Sequence, residues 1–130
     1  MIGAIVVADY RDYESWRRAR FAVCSVLDFT KSLSHAAQHR RLAADIDRLS
    51  VSILDTLAKG YEGTGGDAFL AKALESVDRL DRALHRASEE HIMTGATSLH
   101  LQRQLKGVRR ALQKASRDRK TTIASTRRIE

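Results

Sequence analysis

Four stretches of the sequence repeat apolar side chains at intervals of three and four residues, and the chain contains no proline that would interrupt them. This interval places the apolar side chains on one face of an α-helix. Aromatic residues make up only 5% of the chain, so the stripes are mainly aliphatic. We therefore predict an all-α fold, an up-down-up-down four-helix bundle with a slim core. The predicted core residues are Leu49, Ile53, Val77, Leu80, Leu105 and Val108.

The chain has 130 residues, which suits one domain with a single modest core. We divide it into an apolar N-terminal arm (residues 1–11), the bundle (residues 12–118) and a basic C-terminal tail (residues 119–130). The apolar run in the arm is too short to span a bilayer, and it lacks the basic leader of a targeting signal. We therefore expect a cytoplasmic protein without a membrane segment.

Glycines and small polar residues between the stretches predict where the helices end. Gly60 is expected to end the second helix and Gly95 to close the third, because a residue without Cβ can take the left-handed conformation. Thr97 is expected to cap the fourth helix. Cys24 is the only cysteine, which excludes an intrachain disulfide, and its apolar neighbours predict that it lies in the core.

Positive charge is concentrated in the last quarter of the chain. Residues 99–130 hold ten Lys and Arg against two acids, whereas residues 1–98 hold thirteen against fourteen. The formal charge of +7 therefore comes entirely from the last quarter. Like charges four residues apart destabilise a helix by a few tenths of a kcal/mol, so helix stability does not explain this distribution.

Five cations of the fourth helix recur at three and four residues, on the face opposite its apolar stripe. They extend over about 20 Å, enough to follow several phosphates of a nucleic acid. These residues, called the basic stripe below, are Arg103, Lys106, Arg110, Lys114 and Arg117. Four arginines of the first two helices are predicted to assist in binding: Arg17, Arg18, Arg40 and Arg41.

The basic stripe has three other interpretations: a solvated helix face, a basic amphipathic helix on a membrane surface, and a docking surface for an acidic protein. The fourth helix has no Trp, Phe or Tyr, which argues against the membrane helix and also against base stacking. Binding to the phosphate backbone, led by shape and weakly specific for sequence, is the interpretation that we favour.

Other candidate sites lack the residues that their chemistry needs. His35 and His39 have the spacing of a metal site, but no acid or cysteine nearby completes the set. The glycine-rich segment 63–67 has neither the Lys-Ser or Lys-Thr pair nor the preceding strand of a phosphate-binding loop. No nucleophile, base and orienting group occur together. We therefore expect no metal, no cofactor and no enzymatic activity.

The segment SVSILDTLAKGYEGTGGDAFLAKALESVDRLDRALHRA (residues 50–87) resembles the four-helix-bundle proteins encoded in ribosomal-RNA intervening sequences. It also resembles their relatives, the accessory variability determinant proteins of diversity-generating retroelements. Residues 52–60 keep the frame of the first group's Ser-Ile-Pro-x-Asn-Ile-Ala-Glu-Gly motif but lack its Pro, Asn and Glu. The second group often has an aromatic residue near the end of the fourth helix, where residues 111–115 have none. The resemblance extends over residues 12–116.

This resemblance implies a homopentameric ring with a basic surface. It also implies that the protein binds a reverse transcriptase and its template RNA, or an RNA–DNA hybrid, and assists cDNA synthesis without catalysing it. A helical protein–protein adaptor, whose basic stripe docks an acidic partner, is the alternative function.

Overall fold

The computed structural model describes residue 10 and residues 13–33, 37–63 and 68–129, with the backbone alone for residues 37, 38 and 120–129. Four helices form, and the described residues include no strand, which confirms the all-α prediction. The helices are α1 (Glu14–Lys31), α2 (Ala37–Tyr61), α3 (Phe69–Glu89) and α4 (Gly95–Ile129). Helix α4 continues beyond residue 118, where the sequence division places the tail. The predicted arm lies outside the described residues except for Tyr10.

Consecutive helices pack against one another, and α1 also packs against α4, which closes the bundle. The start of α1 meets the end of α2, because Ser15 Oγ and Tyr61 Oη share a hydrogen bond of 2.5 Å. The end of α1 lies nearer the start of α2, where Thr30 Oγ1 donates a hydrogen bond to Asp47 Oδ1. Helices α1 and α2 are therefore antiparallel.

Helices α3 and α4 are antiparallel as well. Arg109 of α4 forms an ion pair of 2.6 Å with Asp78 of α3. Earlier in α4, Ser98 Oγ donates a hydrogen bond to the carbonyl of Leu84, which comes later in α3. No helix among the described residues combines the length and apolar character that crossing a bilayer requires.

The core is mainly aliphatic and includes side chains from all four helices. Five of the six predicted core residues are buried, and Leu49 is partly buried against the cluster. The buried five are Ile53, Val77, Leu80, Leu105 and Val108. The prediction for Cys24 is wrong: its side chain is exposed. The buried face of α1 passes through Val23, and the next residue is rotated about 100° away from that face.

Gly60 does not end α2, which continues to Tyr61. A Cβ at Gly60 would lie 1.9 Å from Cγ of Phe69, so this glycine makes room for the buried ring at the start of α3. The left-handed backbone conformation comes later, at Gly63, where φ is 86°.

The predictions for the α3–α4 connection are also wrong in detail. His91, with φ of 59°, takes the left-handed conformation after α3, and Gly95 is the first residue of α4. Thr94 caps α4 instead of Thr97, because the N–H of Thr97 donates to Thr94 Oγ1 at 3.1 Å. The predicted pattern of breaks was correct, but the residues that form them lie one to four positions away.

Candidate nucleic-acid interface

All five side chains of the basic stripe are exposed on the outer face of α4. The opposite face of the same segment is buried in the core through Leu101, Leu105, Val108 and Leu112. Core packing therefore fixes the rotation of α4 about its axis, and that rotation directs the basic stripe outward.

None of the five stripe cations forms an ion pair with another described residue. Elsewhere in the bundle, ion pairs within one helix are common. Arg109, which lies between stripe residues in the sequence, points toward α3 and pairs with Asp78. The basic stripe is thus a strip of concentrated positive charge without acids bridging its members.

Arg17 and Arg18 lie on α1, beside α4. Arg18 Nε donates a hydrogen bond of 2.8 Å to Glu14 Oε1, and its guanidinium lies over Gly107, where a Cβ would be 3.0 Å from Nη1. The hydrogen bond and charge of Arg18, and more weakly Lys114 and Arg17, lower the pKa of Glu14. Glu14 therefore stays ionised and offsets part of the charge on this side of the basic stripe.

Arg40 and Arg41 do not join this surface. They lie in the first turns of α2, which packs against α1 and α3. Arg41 lines a separate cavity with Arg86 and Glu90, at the end of the bundle where α3 stops. The structure therefore places Arg17 and Arg18 beside the basic stripe, and it places Arg40 and Arg41 away from it.

The groove between α1 and α4 contains an exposed aromatic residue that the sequence analysis did not single out. Phe21 is 66% exposed and lines the groove with Arg17, Arg18 and Gln104. Gln104 Nε2 lies 3.2 Å from Nε2 of His100, whereas its buried Oε1 has no hydrogen-bond partner among the described residues. A buried acceptor without a partner calls for an explanation, and the groove beside Phe21 is where a binding group could supply one.

A second unpredicted feature is an aromatic cluster at the end of the bundle where α1 and α3 begin. It contains five of the chain's seven aromatic residues. The Tyr61 ring is central, with ring centroids 5.9, 5.1 and 5.0 Å from those of its three aromatic neighbours. Burial raises the pKa of Tyr61, although its hydrogen bond with Ser15 acts in the opposite direction. The cluster consists of Tyr10, Tyr13, Trp16, Tyr61 and Phe69.

The cluster faces the C-terminal part of the basic stripe across a cavity of about 460 Å³, and Lys114 lines that cavity. Arg119 of α4 places its guanidinium 5.3 Å from the centre of the Phe69 ring. The sequence signal was the spacing of Tyr10, Tyr13 and Trp16, but only the fold brings the other two rings to them.

The described residues contain no group of three or more His, Cys, Asp or Glu side chains that could hold a metal ion. His35, one member of the histidine pair considered from the sequence, lies outside the described residues.

A scan against protein-family models finds no match to this chain. Searches of curated proteins and of solved structures find no similar protein either. The resemblance to retroelement accessory proteins therefore stays a prediction.

Proposed function

We propose that this protein is a non-catalytic nucleic-acid-binding accessory protein that binds phosphates through the basic stripe. The observation that carries this proposal is the row of five exposed cations on α4, none of which pairs with a described acid. An ordinary solvated helix face mixes acids and bases, as α3 does with Glu75 and Arg79. A row of one sign instead matches the repeated charge of a phosphate backbone.

The geometry suits contact along a strand rather than at a point. Arg103, Arg110 and Arg117 are seven residues apart, so they return to nearly the same side of α4 about every 10 Å. Lys106 and Lys114 flank this line, one toward α3 and one toward α1. Arg17 extends the positive surface onto α1. This arrangement provides several phosphate contacts without a dedicated contact to base edges on α4.

The resemblance described above adds detail to the proposal. It gives RNA or an RNA–DNA hybrid as the ligand, a retroelement reverse transcriptase as the protein partner, and a homopentameric ring as the assembly. Five copies of a chain with charge +7 carry +35, which would attract nucleic acid strongly. Light scattering tests the assembly: we expect a particle of five times 14.6 kDa. A monomer at micromolar concentration would contradict it.

Fluorescence anisotropy with labelled single-stranded RNA, duplex DNA and an RNA–DNA hybrid tests the binding. In a salt series, affinity should fall with a log–log slope of about −0.7 per phosphate contact on a single strand. The variant Arg103→Gln with Arg110→Gln should weaken binding and flatten the slope by roughly one to two units. Gln is about as good a helix former as Arg, so helical content should not change.

The matched control is Arg48→Gln with Arg79→Gln, which removes the same charge from exposed sites on α2 and α3. We expect this control to bind nearly as the wild type does, because those helices carry no continuous stripe. Equal losses for the two double variants would mean that net charge alone drives binding. No binding of any nucleic acid at low salt would overturn the proposed function.

The second candidate is a helical adaptor that docks an acidic protein in the groove between α1 and α4. The observation in its favour is Phe21, exposed among arginines and beside the unpaired Gln104 oxygen. Two separate variants, Arg→Gln in the basic stripe and Phe21→Ala, distinguish the candidates. If the stripe variant lowers only the affinity for nucleic acid and Phe21→Ala changes no binding affinity, the adaptor is excluded.

A further inference from the structure

The cavity of about 460 Å³ beside the basic stripe has a size typical of sites for small ring systems. It lies where the start of α1, the end of α2 and the start of α3 face α4. Phe69 and Leu70 are buried beneath it, while Tyr13 is 39% exposed and Tyr61 is partly buried. We call this space the aromatic cavity.

The aromatic cavity exists because α4 presents small side chains at this level. Ala111 and Ala115 line it from the α4 side, whereas Leu112 between them fills the core. Two methyl groups opposite Tyr13 and Tyr61 leave room for a planar group, and Tyr13, at 39% exposed, is the ring that such a group can reach.

The basic stripe contributes a positive charge to the lining of the aromatic cavity. Lys114 belongs to the stripe and also lines the cavity, so one ammonium group serves both surfaces. Arg119 is already engaged with the Phe69 ring. Glu14 and Asp118 also line the cavity, so two carboxylates offset the charges of Lys114 and Arg119 there, and the interior favours an uncharged group. The favoured occupant is thus an uncharged aromatic ring whose attached phosphate lies outside the cavity, on the basic stripe.

We propose that the aromatic cavity takes one unstacked base of a single-stranded nucleic acid whose adjacent phosphate lies on Lys114. This inference rests on the proposed function, because the basic stripe brings the strand to the cavity. A duplex keeps its bases paired inside the helix, so it contacts the stripe but leaves the cavity empty. Stacking on aromatic side chains adds affinity for a single strand with little dependence on base identity. The protein therefore prefers single strands to duplexes.

The test fills the cavity without changing any charge. Ala115→Leu places a larger aliphatic side chain opposite the tyrosines, and Ala96→Leu makes the same change at an exposed position in the first turn of α4. The probes are a labelled ten-nucleotide single-stranded RNA and the duplex of the same sequence. We expect Ala115→Leu to lose about tenfold in affinity for the single strand and nothing for the duplex. Ala96→Leu should bind both as the wild type does.

A second variant covers the case in which Ala115→Leu does not fold. Tyr13→Leu removes a cavity wall from a partly exposed position and should lower single-strand affinity in the same selective way. Replacing one base of the RNA with 2-aminopurine reports stacking directly: the wild type should quench its fluorescence, and either cavity variant should quench it less.

The duplex probe distinguishes failure of this inference from failure of the proposed function. If the cavity variants bind the single strand as the wild type does, and the stripe variant weakens both probes, the cavity is not a base site and the proposed function stands. If neither probe binds at low salt, the proposed function fails and this inference fails with it.

Discussion

Helices α3 and α4 bury similar aliphatic faces in the same core, yet their outer faces differ. Acids and bases pair at four-residue intervals within α3, as Glu75–Arg79 do, and at its C-terminal end, where Arg86 pairs with the cap residue Glu90. On α4, no acid occurs before Asp118, which follows the last residue of the basic stripe. Pairing of this kind supports a helix, whereas a row of like charges opposes it. Folding therefore accounts for both faces of α3 but for only the inner face of α4.

The inner faces of α3 and α4 should respond alike to truncation of a buried side chain. Leu80 of α3 and Leu105 of α4 are both almost fully buried. Leu80→Ala and Leu105→Ala should each lower the free energy of unfolding by about 2–5 kcal/mol, because each leaves a cavity in the core. Chemical denaturation measures both. An unchanged denaturation midpoint for Leu105→Ala would mean that Leu105 is not in the core and that a different face of α4 points outward.

Two helical glycines, Gly60 and Gly107, differ in how closely their backbone is packed. A Cβ at Gly60 would overlap the buried ring that begins α3, so Gly60→Ala should destabilise the protein by about 1–3 kcal/mol. In α4, a Cβ at Gly107 meets only the flexible end of Arg18. Gly107→Ala should therefore be neutral or stabilise by up to about 1 kcal/mol, because alanine is the better helix former. Destabilisation of equal size by both substitutions, measured by thermal unfolding, would contradict this account.

The spacing of apolar residues was enough to predict the helical fold and most of the core, because one buried face per helix is what a bundle requires. It did not predict Cys24 correctly. Cys24 has apolar neighbours in the sequence, but it is exposed because successive residues lie about 100° apart around a helix. The helix ends were harder, since Gly60 makes room for Phe69, a partner that no local pattern reveals.

The candidate site, too, could be predicted from the sequence only in part. The basic stripe was readable from one helix, because its members share a local period. Its neighbours were not: Arg17 and Arg40 look equivalent in the sequence, but the packing of α1 against α4 brings only Arg17 to the stripe. The aromatic cavity depends on four segments meeting at one end of the bundle. For that reason, the sequence of α4 alone could not reveal the aromatic rings that the fold places beside it.

Removal of charge tests the difference between the outer faces directly. Arg79→Gln with Arg86→Gln removes two ion pairs of α3 and should lower stability by a few tenths of a kcal/mol per pair. Arg103→Gln with Arg110→Gln should leave stability unchanged or raise it by a similar amount, because it relieves repulsion. Denaturation at low and high salt measures both, and screening should shrink both differences.

The sign of the effect matters more than its size. Opposite signs at low salt would mean that the cations of α4 lower the stability of the fold, so fold stability is not the reason for their presence. Destabilisation by both double variants would instead mean that the folded protein itself neutralises the basic stripe. The nucleic-acid proposal would then lose the observation that carries it, and the groove around Phe21 would become the stronger candidate site.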